Sequence, residues 1–211
     1  MKVVAIKPLE DRPGEYLLLL DNGEEIVIDE DTLVRRRLLP DREIDEGELE
    51  EAARENKRAE LRKVALRYLS RSFRSTHEVR RFLENKGYPP RDVDEVIDEL
   101  TRLGYLDDEA LVQNLCHRLV EKGKGRYFVQ RELKKRGIDS NLIEQTIEEL
   151  DGQEEFENCL RLARKKIVFY RKKPHLTRRL YHALLRQGFP HETVLKVLDH
   201  LMKEGELDLG E

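Results

Sequence analysis

No apolar run in this sequence approaches the ~18 residues that a membrane span requires. The longest, residues 16–20, has the length of a strand. The N-terminus lacks a basic stretch ahead of an apolar core, so no secretory leader is expected. Only two cysteines occur, Cys116 and Cys159, with no CxxC between or beside them. That excludes a disulfide scaffold and suits two buried thiols in a reducing cytoplasm. The phosphate loop GxxxxGK[ST], the dinucleotide signature GxGxxG, the nucleophile elbow GxSxG and the zinc motif HExxH are all missing. The six histidines, His77, His117, His175, His182, His191 and His200, form no spaced ligand set. Cys116 and His117 are neighbours, and adjacent helical residues point to different sides, so they make no nucleophile pair. These absences predict a protein that is not an enzyme and has no cofactor, no resident metal and no membrane contact.

Apolar residues make up 38% of the 211 and charged residues 40%. Such a balance is too polar for one large spherical core. It suits thin layers of helices, each with one wet face. The net charge of -4 is unevenly spread. Residues 1–59 hold 10 basic and 17 acidic side chains, whereas residues 152–204 hold 12 and 6. An acidic front and a basic rear point to polar or charged partners.

The first thirty residues read as strands. Val3, Val4, Ala5 and Ile6 form a short apolar run. Asp21-Asn22-Gly23 separates the apolar residues 16–20 from Ile26, Val27 and Ile28, a strong hairpin signal. The expectation is a small antiparallel three-stranded meander resting on a helix drawn from residues 31–38. Residues 41–60 are dense in charge and read as an exposed helix or tether.

Beyond residue 60 the pattern repeats. Gly87, Gly137 and Gly188 lie 50 and 51 residues apart. Four residues before them stand Leu83, Leu133 and Leu184. Directly after them stand Tyr88, Ile138 and Phe189, and further on Val93, Ile143 and Val194, then Leu100, Leu150 and Leu201. Val93, Val96, Ile97 and Leu100 have the spacing of an amphipathic helix. Ser75-Thr76-His77-Glu78 has the S-x-x-E form of a capping box, and each glycine stops the helix before it. Leu61, Ala65, Tyr68 and Leu69 make the stripe of a preceding helix. Leu111, Leu115 and Leu119, then Phe156, Cys159, Leu160, Ala163 and Ile167, do the same later. The fold class is therefore mainly α: an elongated array of three tandem three-helix repeats behind a small β meander. The expected divisions are 1–59 (sheet and tether), 60–105, 106–151, and 152–211 (third repeat and short acidic tail).

Several segments resemble the RecX family of recombinase regulators. They are Ala65-Leu66-Arg67-Tyr68-Leu69-Ser70, Glu78-Val79-Arg80-Arg81-Phe82-Leu83 with Lys86-Gly87-Tyr88, and Leu103-Gly104-Tyr105-Leu106-Asp107-Asp108. In the second repeat Gly125-Arg126 and Arg131-Glu132-Leu133-Lys134-Lys135-Arg136-Gly137-Ile138 carry it too. It covers residues 60–150 well and the third repeat more loosely. The resemblance implies repeated three-helix modules and a non-catalytic protein that binds the helical RecA–DNA filament. It also implies depressed ATP hydrolysis and strand exchange by RecA. The residues alone reach only a helical repeat protein that binds something charged. A monomer is expected.

Candidate contacts with RecA or with single- or double-stranded DNA are basic. Arg71, Arg74, Arg80 and Arg81 lie in the first repeat. Lys124, Arg126 and Arg131 lie in the second. Arg164, Lys165, Lys166, Arg171, Lys172, Lys173, Arg178 and Arg179 form the dense set of the third. Tyr127 and Tyr170 stand close to basic groups and could stack on a base. The plain alternative for each is a solvated helix face. Asp107 and Asp108 read as helix caps rather than Mg²⁺ ligands, because no third ligand stands nearby. A second functional reading is a DNA-binding protein independent of RecA, with Arg80 and Arg81 on a groove-reading helix. Against it, the last helices of the modules are acidic outside: Asp92, Asp94, Glu95, Asp98 and Glu99, then Glu144, Glu148 and Glu149.

Overall fold

The computed structural model describes residues 1–170 and 174–207. The chain divides into two compact units. The first comprises residues 1–72 and 79–105, and the second residues 73–78 and 106–211.

The first unit begins with three antiparallel strands in the order β1-β2-β3: β1 (Val3–Pro8), β2 (Glu15–Leu20) and β3 (Glu25–Asp29). Asp21-Asn22-Gly23 makes the expected hairpin turn, with Gly23 at a φ of 87° and Leu19 facing Glu25 across the ladder. Val3, Leu18, Leu20 and Ile28 point inward and are buried with Leu38, Ile44, Leu49 and Ala52. Leu49 and Ala52 belong to the helix on which the sheet rests. Helix α1 (Glu30–Arg35) is short and starts at Asp29, whose carboxylate accepts the Thr32 N–H at 2.7 Å. Then α2 (Glu46–Leu69) runs unbroken for 24 residues, so the expected division at 59/60 falls inside one helix. Residues 41–60 are therefore not a mere tether. Two small or single apolar groups, Leu49 and Ala52, suffice to seat the first half of α2. Asn56 fastens that helix to the sheet, accepting from the Asp29 N–H at 2.5 Å and donating to the Val27 carbonyl at 2.9 Å.

The second half of α2 is the first helix of the first module. It packs with α4 (Pro90–Arg102) and buries Leu61 and Ala65. Val93, Val96, Ile97 and Leu100 of α4 are all buried, as their spacing predicts. Pro89 and Pro90 occupy the N-cap and first helical positions, where a missing N–H costs nothing. A ladder of ion pairs fixes the rest. Arg36 reaches Glu51 and Glu55 at 2.8 Å, Lys57 reaches Asp92 at 2.9 Å, and Arg62 reaches Glu99 at 2.8 Å. The middle helix of this module is α3 (Thr76–Asn85), which buries Val79 and Leu83.

The second unit holds the other two modules. Helices α5 (Asp108–Glu121), α6 (Arg126–Lys135) and α7 (Ser140–Glu148) close over Leu111, Val112, Leu115, Cys116, Val129, Leu133, Ile138 and Ile143. Helices α8 (Gly152–Tyr170), α9 (Leu176–Arg186) and α10 (His191–Lys203) close over Cys159, Ala163, Leu180, Leu184, Phe189, Val194, Val197, Leu198 and Leu201. The mainly helical class, the three three-helix modules and the small antiparallel sheet are thus those that the sequence pattern predicts.

Inside the second unit one joint occurs twice. The start of a middle helix is covered by the following module. At α3, Ser75 Oγ donates to the Arg136 carbonyl at 2.5 Å, and the His77 ring lies against Gly137. The Thr76 N–H donates to the Asp108 carboxylate at 2.8 Å. At α6, the Gly125 N–H donates to the Gln187 carbonyl and the Tyr127 N–H to the Gly188 carbonyl, each at 3.0 Å. The Arg126 N–H donates to the Glu155 carboxylate at 2.9 Å. At α6 the N–H groups of the helix start meet two carbonyl oxygens and one carboxylate of the next module, and at α3 one N–H meets a carboxylate while the Ser75 hydroxyl takes the carbonyl, satisfying donors that no intrahelical partner can reach. A Cβ on Gly125 would come within 2.5 Å of the Gly188 carbonyl group, so this approach needs glycine at 125.

Candidate functional site

The basic candidates sort by what holds them. In the first module Arg80 is bound to Asp94, an ion pair that spends the charge within the module. Arg71 and Arg81 are exposed and make no ion pair with a described residue. In the second unit Arg74 lies 3.7 Å from Glu78, and Arg136 lies 3.3 Å from the same carboxylate. Glu78 also completes the capping box that the sequence predicts. It accepts the Ser75 N–H at 2.9 Å, while Ser75 Oγ accepts the Glu78 N–H at 3.1 Å.

Arg126 is a structural residue. Its guanidinium meets Glu155 at 2.8 Å, and Glu155 is only 7% exposed. Lys124 donates to the Gln187 side chain at 2.6 Å and lies 4.6 Å from the centre of the Phe128 ring. Arg131 approaches the same ring at 5.4 Å and keeps its charge exposed. Tyr127 is exposed beside this group.

The dense basic set of the third module divides in the same way. Arg164 is held by Glu204 at 2.6 Å and Glu206 at 2.7 Å. The hydrogen bond from Arg164 holds the Glu206 carboxyl below the usual carboxylate range and raises the arginine in turn. Lys165 is exposed without an ion pair to a described residue, and Lys166 lies 5.8 Å from the Tyr170 ring centre. Arg171, Lys172 and Lys173 lie outside the described residues.

Arg178 and Arg179 stand in the first turn of α9 and open onto a cleft of about 340 Å³. Among the described residues Tyr170, His175, His182 and Arg186 complete its lining, with no carboxylate. Arg179 Nε donates to the Pro174 carbonyl at 2.8 Å. His175 caps the helix in the left-handed region, with φ 57° and ψ 48°, and gives it no side-chain hydrogen bond. Arg186 and His182 were not among the sequence-based candidates. A helical spacing of four from Arg178 to His182 and to Arg186 would have placed them on one face.

The acidic pair of the family-like stretch is spent on helix starts. Asp107 caps its own helix α5 by accepting the Ala110 N–H at 2.8 Å, and Asp108 reaches back to α3. The carboxylates on the outside of α4 remain where the sequence puts them, with Asp94 and Asp98 exposed. Asp94 pairs with Arg80 itself, so a carboxylate of α4 neutralises that cation, which opposes a groove-reading role for its helix. Both thiols are buried. Burial pushes Cys116 above the usual thiol range and Cys159 up to about 12. None of the described helices is long and apolar enough to cross a membrane.

Comparison with known proteins matches this chain to three successive family models. The first three-helix domain of RecX matches residues 62–100, the second residues 107–147 and the third residues 153–198. The regulatory protein RecX of Lactococcus lactis subsp. lactis is 29% identical over 209 residues, covering 96% of this chain and 77% of the relative. That of Geobacillus kaustophilus is 32% identical over 176 residues, covering 82% and 65%. A crystal structure of regulatory protein RecX superposes with a TM-score of 0.74 at 22% identity, over 94% of this chain and 98% of the other. The crystal structure of RecX from Lactobacillus salivarius gives 0.63 at 22% identity, over 68% and 96%.

Proposed function

This chain belongs to the RecX family of regulatory proteins, and on that footing we propose that it binds the RecA–single-stranded DNA filament and depresses its ATP hydrolysis and strand exchange. It does so by binding alone, as a cytoplasmic monomer, in recombination and repair. The observation that carries the reading is a set of exposed cations without an ion-pair partner among the described residues, on a chain of three matched modules. Arg71, Arg81, Lys165, Arg178 and Arg186 make no ion pair with a described residue. Arg80, Arg126 and Arg164, by contrast, are consumed inside the fold. Cations of the first kind can steer a protein toward a polyanionic filament and contact it at little desolvation cost.

Co-sedimentation with RecA–single-stranded DNA filaments under a nonhydrolysable nucleotide tests the binding. ATP turnover by RecA tests the effect. Turnover should fall at ratios below one protein per RecA subunit. Unchanged turnover at saturating protein defeats the reading.

A further inference from the structure

We propose that a cleft in the first unit, walled by α1, α2 and α4, binds the terminal phosphate of a small phosphorylated compound. The proposal stands apart from the filament reading, and its test contains no RecA.

The cleft measures about 200 Å³. From α1 it takes Thr32 and Arg35, and from α4 Glu99 and Arg102, each pair three residues apart and so on one helix face. From α2 come Glu55, Arg58 and Arg62, with Ala59 leaving room between them. The described lining thus sets four guanidiniums against two carboxylates, and both carboxylates are already engaged. Arg36, which does not line the cleft, holds Glu55 through two hydrogen bonds of 3.0 and 2.8 Å. Arg62 reaches Glu99 at 2.8 Å and Arg58 reaches it at 3.2 Å. The hydrogen bond from Arg36 keeps the Glu55 carboxyl below the usual carboxylate range. Burial pushes Glu99 up, but its bonds and charges with Arg62 and Arg58 outweigh that and leave it below the range as well. Both acids are therefore ionised at neutral pH, and an excess of two positive charges remains. Arg35 and Arg102 carry it, being exposed and making no ion pair with a described residue. A helix dipole accounts for a cation in the last turn of α1 or of α4. It does not account for two such cations opening on one cleft.

Thr32 is a second and independent sign. It is 1% exposed, yet its hydroxyl makes no hydrogen bond with a described residue. Its N–H is satisfied by Asp29 at 2.7 Å, and Asp29 is not part of the described lining. Buried hydroxyls are ordinarily paired, and one left over is costly. A hydroxyl in this state, lining a cleft rich in guanidinium, calls for an acceptor from outside the chain. Phosphate oxygens accept both from a hydroxyl and from the N–H forks of arginine.

Charge and size choose the kind of phosphate. A terminal phosphate carries about -1.5 to -2 at pH 7, which matches the excess in the cleft, whereas a backbone diester carries a single charge. The cleft is smaller than the roughly 300–1,000 Å³ of sites that enclose a whole drug-sized ligand. It takes the phosphate and leaves the rest of the molecule outside.

The test uses the full chain with inorganic phosphate and pyrophosphate as probes, read by calorimetry and thermal melting. Both should bind at one site and raise the melting temperature more than sodium chloride of equal ionic strength does. Arg35→Ala with Arg102→Ala should weaken pyrophosphate binding at least about tenfold and leave melting of the free chain nearly unchanged. If that protein fails to fold, the double glutamine variant takes its place. Lys7→Ala with Arg67→Ala removes the same charge from exposed positions off the cleft and should leave the affinity intact. Thr32→Val should weaken both probes, yet keep or raise the melting temperature of the free chain, because an unpaired hydroxyl is lost. A 5′-phosphorylated oligothymidylate should compete with pyrophosphate, and its 5′-hydroxyl counterpart should not.

Chloride that matches phosphate at equal ionic strength means screening alone and overturns the proposal. So do equal losses from the two double alanine variants, which mean a diffuse field. A 5′-hydroxyl oligonucleotide that displaces pyrophosphate overturns it too, since the cleft would then take backbone diesters.

Discussion

Gly188 sits against the first turn of α6 so closely that a Cβ placed on it would come within 2.5 Å of the Phe128 Cβ and 2.8 Å of its Cα. It also holds a φ of 91°, where any other residue is strained.

Gly188→Ala should therefore cost two things at once: about 1 kcal/mol for the left-handed backbone and a further ~1–3 kcal/mol for the clash. Gly87 occupies the equivalent place at the first module, with a φ of 88° and open space within 4 Å of where a Cβ would stand. Gly87→Ala should show only the backbone cost. Urea unfolding of the two variants measures the difference, and equal losses would mean that the joint contributes nothing.

Glu155 serves two donors of Arg126, its N–H at 2.9 Å and its guanidinium Nε at 2.8 Å. Its removal leaves a half-buried arginine and a helix start unpaired. Glu155→Ala should cost about 3 kcal/mol, read as a shift in the urea midpoint. Arg126→Ala should be destabilising too. Its effect on filament binding, measured at a temperature where it is folded, should be small, because the native side chain is turned inward.

The two cysteines should be inert in the folded protein. Burial raises the Cys159 thiol to about 12 and moves Cys116 in the same direction. A thiol reagent at mildly alkaline pH should label neither until denaturant is added. The linkage has a definite sign. Above about pH 9 the unfolded chain releases thiol protons that the folded chain retains, so stability falls as pH rises from there toward 12. Replacing both with alanine should flatten that alkaline slope. Native labelling at the unfolded rate would contradict the buried packing.

Charge reversal should separate spent cations from available ones. Arg164→Glu places a third carboxylate beside Glu204 and Glu206, so it should cost stability, whereas Lys165→Glu next to it should not. The ordering of filament affinity should run the other way per unit of stability lost. Thermal melting and co-sedimentation of the same two proteins give both numbers.

The modules were legible because their information is local. Leu83, Leu133 and Leu184 recur at one distance from a glycine, and all three are fully buried. Ser75 and Glu78 form a capping box within four residues, so spacing alone exposes it. What escaped was long-range pairing. Asp108 reads as a cap for the helix that it begins, yet its carboxylate crosses 32 residues to Thr76. Glu155 and Arg126 are 29 residues apart, and nothing in either neighbourhood marks them as partners. The basic stretches looked alike in sequence because charge counting cannot see which carboxylate a fold brings to which arginine. Arg164 and Arg178 differ only in that respect. The continuity of α2 was hidden for a related reason, since Leu49 and Ala52 make a seat too sparse to register as periodicity.

That continuity has a consequence for how the chain can be varied. One helix carries Asn56 on the sheet and Leu61 and Ala65 in the first module, with Arg36, Asp92, Glu95 and Glu99 bonded along its sides. Each added residue in a helix turns everything beyond it by about 100° and advances it by about 1.5 Å. A single insertion near residue 58 would thus leave the two ends in incompatible phase, like a screw cut with one thread too many. Insertions that add a whole turn should be tolerated better than insertions of one or two residues. The sheet and the first module are therefore bound to one helical phase, which any change of length in α2 must keep.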